Sequence, residues 1–196
     1  MARILLSVPT FDGAIRSETD EALGNLDRCG NEIIHANVSG YGIAHARNMM
    51  VGKAVDLGCD YLLMVDSDVI PPENALASLL SRRTDFCAGW YPKGSDETMT
   101  NIVKTGTLYF RECYSVDEMS GLSGLVETKG AGMGCALVRV AAISAMKRPW
   151  FEFVDYQDGT VLGEDYFFCQ RMRGYGLKVY VDADVACRHV HARVLG

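Results

Sequence analysis

Residues 61–72 read YLLMVDSDVIPP. The first five, Tyr61 to Val65, form an apolar run without alternation, the pattern of a strand covered on both faces, as in a parallel sheet. Pro71 and Pro72 stop the strand from continuing, so Asp66 and Asp68 are expected in the loop just past its carboxyl end. In open α/β sheets that edge is where ligands bind. Two carboxylates one residue apart repel each other, and unless solvent separates them they need a cation or a set of donors.

The flanking chain alternates strands and helices. Residues 3–8 (RILLSV) predict a first strand, closed by Pro9 and a loop of Thr10, Phe11, Asp12 and Gly13. A helix is expected over 18–28, ended by Gly30, followed by a strand over 32–38 (EIIHANV). Ile43, Ala46, Met50, Ala54 and Leu57 recur at spacings of three and four, which puts them on one helical face, with Gly58 at the end. After the opening stretch, a helix should run from Pro72 or Glu73 to about Arg82, and 86–90 (FCAGW) supplies a fourth strand. Such alternation calls for an α/β architecture: a mostly parallel sheet, helices on its faces and right-handed crossovers.

Beyond Pro92 the pattern changes. Residues 93–101 are polar and loop-like, and 103–126 offers short strand candidates, among them 107–110, in a small antiparallel or irregular section. The glycine-rich turn 130–134 (GAGMG) permits close approach of a ligand to the backbone. It lacks the lysine of a P-loop and opens no dinucleotide unit. A strand over 135–138 and a helix over 140–146 follow, then a strand or ordered loop over 150–156. Gly163, Glu164 and Asp165 open a helix over 166–173 that Gly174 ends, and 178–181 forms a late strand.

A chain of 196 residues with 48% apolar content suits one large domain with an ample core. The net charge of -6 argues against affinity drawn from an extended phosphate backbone, although a local basic groove is compatible with that sum. Apolar runs fall far short of the roughly 18 residues of a membrane helix, and MARILLSV is too short for a signal peptide, so a soluble, cytoplasmic protein is expected. The seven cysteines are scattered without CxxC spacing, which favours reduced core thiols over disulfides or a zinc site.

Taken together, VDSDV after an apolar strand, ARN on the preceding helix, GAGMGCALVR, and LGEDYFFCQRMRGYGLKVYVDADVACRHV resemble a glycosyltransferase of the GT-A fold, closest to the family 2 type. The resemblance runs from Pro9 to His189. It implies a single GT-A domain over 1–196, with a nucleotide-binding half over 1–92 and an acceptor-binding and catalytic half over 93–196.

Transferring a sugar from a nucleotide diphosphate leaves developing negative charge on the diphosphate, which a divalent ion stabilises by several kcal/mol. Mn²⁺ or Mg²⁺ suits carboxylate and phosphate oxygen, and Mn²⁺ also accepts imidazole. The resemblance implies Asp68 and His189 as metal ligands, with Asp66 leaning toward metal or ribose. His191 lies two residues on, and periodicity does not separate the two histidines; the family pattern selects His189. A DxD pair is otherwise a common solvated strand end. An acceptor hydroxyl needs a base, and by resemblance Asp165 takes that role, with Glu164 orienting the acceptor. Acidic residues are also favoured in any first helical turn, where the dipole lowers their pKa, opposing a base poised near neutrality.

The resemblance also places Pro9, Thr10, Asp12, Ser67 and Arg47, with Asn48, around the nucleotide, the arginine being suited to phosphate or to stacking on a ring. Many family 2 members carry an aspartate after the second strand that reads uracil. Here Asn37-Val38-Ser39-Gly40 stands instead, which leaves the identity of the base open; a UDP-sugar is the first choice, with GDP or dTDP as alternatives. Trp90, Tyr91, Met133 and Trp150 are candidate walls of the sugar and acceptor pocket, and Lys93 a candidate phosphate contact.

Rival readings are a non-catalytic nucleotide-sugar binder and a nucleotidyltransferase of related fold. A haloacid-dehalogenase-type phosphatase carries its nucleophilic aspartate on the first strand, whereas here the motif follows the third. The acceptor is open among a glycan, a lipid-linked sugar, a protein and a hydroxymethylated DNA base, the last because small stand-alone GT-A enzymes resemble some virus- and phage-encoded transferases.

Overall fold

The computed structural model describes residues 1–93, 96–106, 111–156 and 158–190; His191 and the strand candidate 107–110 lie outside them. In chain order the elements are β1 (Arg3–Ser7), β2 (Pro9–Thr10), α1 (Ser17–Gly24), β3 (Glu32–His35), β4 (Val38–Ser39), α2 (Ile43–Asp56), β5 (Tyr61–Val65), β6 (Val69–Ile70), α3 (Ala75–Ser81) and β7 (Phe86–Trp90). The second half holds β8 (Pro92–Lys93), β9 (Asp96–Gly106), β10 (Arg111–Ser115), α4 (Val116–Ser120), β11 (Leu125–Thr128), β12 (Cys135–Arg139), α5 (Val140–Ser144), β13 (Val154–Tyr156), β14 (Thr160–Leu162), α6 (Glu164–Gly174), β15 (Val179–Ala186) and β16 (Arg188–His189).

The central sheet runs β11-β15-β7-β12-β5-β1-β3. Pairing is parallel for β3·β1, β1·β5 and β7·β15, while β12 is antiparallel to both β5 and β7, and β11 to β15. Five of the seven strands therefore point one way and carry their carboxyl ends to one edge.

Strand β5 is apolar throughout because both of its faces are covered. Leu62 and Met64 enter a core shared with α2, α5 and α6, whereas Leu63 and Val65 enter a second core shared with α1 and α3. The stripe expected on α2 buries Ala46, Met50 and Ala54, and Arg47 is buried beside it. None of the seven cysteines forms a disulfide and five of them are buried, as reduced core thiols should be. Among the described residues, no helix is long and apolar enough to cross a membrane.

Three sequence expectations are corrected. The described residues of 93–101 are not loop-like: Lys93 ends β8 and 96–101 lie in the eleven-residue β9, in a separate antiparallel sheet of order β10-β9-β8. The β-branched residues Thr98, Thr100, Ile102 and Val103 favour a strand, and partners satisfy the polar ones: Thr100 donates to the Tyr114 carbonyl, and Asn101 accepts from the Tyr91 N–H. The antiparallel part is not confined to that section either, because β12 inserts into the main sheet between β5 and β7. Helix α1 stops at Gly24 rather than near Arg28, the chain turning off so that Asp27 donates its N–H to the Glu73 carbonyl.

Candidate functional site at the carboxyl edge of the sheet

Strand β5 ends in a tight turn. The Asp66 N–H donates to the Gly134 carbonyl at 3.0 Å, and the Asp66 carbonyl accepts from Val69 at 3.1 Å, which lifts Asp66, Ser67 and Asp68 over the sheet edge. Past the turn, β6 pairs antiparallel with β16, and His189 lies opposite Val69. The Val190 N–H closes on the Asp68 carbonyl at 2.8 Å. These backbone bonds bring His189 Nε2 to 3.3 Å from Asp68 Oδ2, the carboxylate 43% and the imidazole 17% exposed. The hydrogen bond between them, reinforced by charge, holds Asp68 below its ordinary range and raises His189 above its own. Among the described residues, no three or more His, Cys, Asp or Glu side chains gather into a metal cluster.

Asp66 turns away from this pair. Its Oδ1 accepts from Arg47 Nη2 at 2.7 Å, and Arg47 Nη1 is bonded to Glu164 Oε1. The Arg47 side chain is only 4% exposed. Both of its Nη groups are thus committed to carboxylates, and the charges of Asp66, Glu164 and Asp165 hold its proton tightly against the cost of burial. Arg47 therefore faces the carboxylates and not an open ligand surface.

Asp165 follows Glu164 in the first turn of α6, where its Oδ1 accepts from the Tyr166 N–H at 2.7 Å. Burial and the neighbouring Glu164 charge push its carboxyl up to about 6. The helix terminus and Arg47 pull the other way and lose, because desolvation of a carboxylate is the larger effect here. An acid that sequence position alone marked as ordinary is poised near neutrality by its surroundings.

Around this cluster, Pro9 and Thr10 on β2 pair in parallel with Val38 and Ser39. Thr10 Oγ1 is buried without a partner beside a small cavity of about 190 Å³ shared with Phe11, Tyr41 and Ile43. Asp12 is exposed and caps its own turn by accepting from Ala14. Ser67 lines a cavity of about 480 Å³ with Asp12, Arg16 and Val190. A cleft of about 920 Å³ crosses the outer face of α2 and includes none of Asp66, Asp68, Asp165 or His189.

The aromatic candidates divide. Trp90, Met133 and Trp150 are core residues, and the two indole N–H groups donate to the Ala183 and Ile143 carbonyls. Tyr91 reaches the site: its ring lies 5.4 Å from that of His189, and its hydroxyl accepts from the Gly134 N–H. Lys93 is exposed. Asn37 accepts from Val8 and so ties the end of β3 to that of β1.

Asn101 went unnoticed in the sequence, where it is one polar residue in a polar run. Its carbonyl accepts from Gly132 and from the Tyr166 hydroxyl, joining β9, the glycine turn and α6. The turn needs its glycines for space: a Cβ on Gly134 would lie 2.7 Å from Tyr91 Cζ, and one on Gly132 would lie 2.8 Å from the Tyr91 hydroxyl. Gly134→Ala is expected to destabilise the fold by about 1–3 kcal/mol through overpacking. An unshifted urea midpoint would contradict that.

Solved structures share this fold. A197 from STIV matches with a TM-score of 0.67 at 17% identity, over 97% of this chain and 86% of that one. GalNAc-T7, solved with UDP, GalNAc and Mn²⁺, matches with a TM-score of 0.61 at 10% identity, over 97% of this chain and 44% of that one. S. aureus TarS 1-349, in complex with UDP-GlcNAc, matches with a TM-score of 0.54 at 14% identity, over 97% of this chain and 60% of that one. The fold is GT-A-like. These neighbours are glycosyltransferases, and the GT-A-like chain described here spans less than two thirds of the GalNAc-T7 and TarS chains. No family model matches the chain, and no curated protein matches its sequence.

Proposed function

We propose that the protein is a metal-dependent glycosyltransferase that moves a sugar from a nucleotide-diphosphate sugar, a UDP-sugar in the first instance, to an acceptor hydroxyl with inversion. The observation that carries this reading is the raised carboxyl of Asp165, joined through Glu164 and Arg47 to the same strand end that presents Asp68 beside His189. A non-catalytic binder of nucleotide sugars has no use for a carboxyl poised in this way.

The chemistry of the donor set fits a divalent cation. Asp68 and His189 offer carboxylate oxygen and imidazole nitrogen from a half-exposed pair, a combination Mn²⁺ tolerates, with substrate phosphate and water completing the shell. When bound, the ion supplies Lewis-acid stabilisation of the departing diphosphate. Asp66 faces the nucleotide with Ser67, and Pro9, Thr10 and Asp12 border the base and ribose; the unpartnered Thr10 hydroxyl fits a ligand that brings its own polar group. Asp165 takes the proton from the acceptor hydroxyl as it attacks, while Glu164 keeps its neighbour's carboxyl raised.

Such a base acts only when ionised. Transfer should fall by about tenfold per pH unit at acid pH, with the bend near the Asp165 value of about 6; a rate flat from pH 7 to pH 5 would remove Asp165 from the mechanism. The proposal as a whole is tested by titrating a panel of UDP-, GDP- and dTDP-sugars calorimetrically with Mn²⁺, then assaying hydrolysis. Binding of at least one donor is expected, and failure of every nucleotide to bind, with and without metal, overturns it.

A further inference from the structure

Helix α2 grips α6 at two points, through two consecutive residues. Arg47 holds Glu164 with one Nη and Asp66 with the other, spanning from the strand end to the first turn of α6. Asn48, next in sequence, clamps a backbone segment: its Oδ1 accepts from the Trp150 and Phe151 N–H groups at 2.9 and 3.2 Å, and its Nδ2 donates to the Phe151 carbonyl at 2.7 Å. The Phe151 ring so fixed stacks on Phe168, with centroids 4.5 Å apart and planes 7° from parallel. Glu164 and Phe168 are four residues apart on α6, hence neighbours on one helical face. One contact is charged and the other apolar, and both trace back to α2.

We propose that Arg47 and Asn48 form a positioning bracket that sets the register of α6, and with it Asp165, against the strand end carrying Asp66 and Asp68. Neither residue touches the reacting groups in this account. Two anchors one helical turn apart fix both the rotation and the slide of α6, which a single contact would not. The bridge also depends on the guanidinium fork: its two Nη groups reach two carboxylates from different elements, whereas a lysine ammonium is a single point charge. The predicted effect on turnover rests on the glycosyltransferase reading above; the effect on the register of α6 does not.

Arg47→Lys and Asn48→Asp test it. Lysine keeps the positive charge between the carboxylates, and aspartate keeps the Asn48 outline while losing the donor to the Phe151 carbonyl. The measurements are the affinity for UDP with Mn²⁺, kcat and KM for hydrolysis of UDP-GlcNAc or the donor the panel selects, the melting temperature, and hydrogen exchange of the α6 amides.

Arg47→Lys is expected to fold, to bind UDP within a few-fold of the parent and to leave KM nearly unchanged. Its kcat should drop by roughly 100-fold, the scale on which a misplaced catalytic group is felt, and the amides of residues 164–168 should exchange faster than those of the sheet. Asn48→Asp should speed the same amides and lower kcat less. A lowered melting temperature with kcat and local exchange unchanged would mean a merely structural pair and would overturn the bracket. If the parent protein neither binds nor hydrolyses any nucleotide sugar, the transferase reading fails by itself. The bracket then stands or falls on exchange: unaltered protection of residues 164–168 in both variants overturns it.

Discussion

Asp165→Asn is expected to lower sugar transfer by roughly 10²–10⁴-fold, the range a positioned general base supplies, while leaving the affinity for nucleotide and metal near that of the parent protein. Asparagine keeps the outline of the side chain and the oxygen that accepts from Tyr166. It carries no charge and cannot take a proton. The loss should appear in kcat, because proton removal develops in the transition state and not on donor binding. Transfer that persists at the parental rate would assign the base elsewhere.

The same substitution carries an independent stability prediction. The Asp165 carboxyl is raised from 3.8 to about 6 by burial first and Glu164 second. Between those values the folded chain holds a proton that the unfolded chain has released, so stability falls as pH rises through that window and stays lower above it. Asparagine is neutral throughout and should relieve a cost of at most about 3 kcal/mol at pH 7. A less active, more stable variant is the combination expected of a group held in an unfavourable state for its chemistry. A melting temperature that falls at pH 7 and rises at pH 4 would reverse the sign and contradict the assignment.

Asp68→Ala is the second large effect. With Asp68 replaced, His189 is the only remaining protein ligand proposed on that side, and metal-dependent nucleotide affinity should weaken by more than about 100-fold. The fold should survive, because a part-exposed Asp–His pair contributes on the order of 1 kcal/mol or less and β6 and β16 stay paired through their backbones. Calorimetry of UDP with and without Mn²⁺ separates the two: the variant should show the same weak binding in both conditions. Metal-enhanced binding at the parental level would place the ion elsewhere.

The fold was legible in the sequence wherever burial on both faces left a mark. YLLMV and FCAGW are apolar throughout because two cores cover them, and α2 declared itself through Ala46, Met50 and Ala54. Strand β9 did not, because its polar residues are satisfied by partners brought from β10 and Tyr91, and nothing local records those partners. The insertion of β12 between β5 and β7 is a matter of long-range pairing and leaves no periodic trace.

At the site, the pair Asp68 and His189 was legible only through the resemblance, and the pairing of β6 with β16 is its physical basis. Arg47 was named but for a different task; a buried bridge between Asp66 and Glu164 depends on where α6 packs. The pKa of Asp165 was expected to fall at a helix start and instead rises, because the sequence shows the dipole but not the burial. Asn101 and the hydroxyl of Tyr91 carried no signal, since their roles consist of contacts to the glycine turn and α6.

On the proposed function, this carboxyl edge breaks the bond between a sugar and a nucleoside diphosphate with the help of a divalent ion. The most direct measurement is the release of UDP from UDP-GlcNAc, or from the donor the panel selects, followed over time with Mn²⁺ and with the ion removed by EDTA. Slow release is expected without an acceptor, abolished by EDTA and restored by excess Mn²⁺. A donor that binds with Mn²⁺ yet releases no diphosphate under any condition, with or without acceptors, would contradict it.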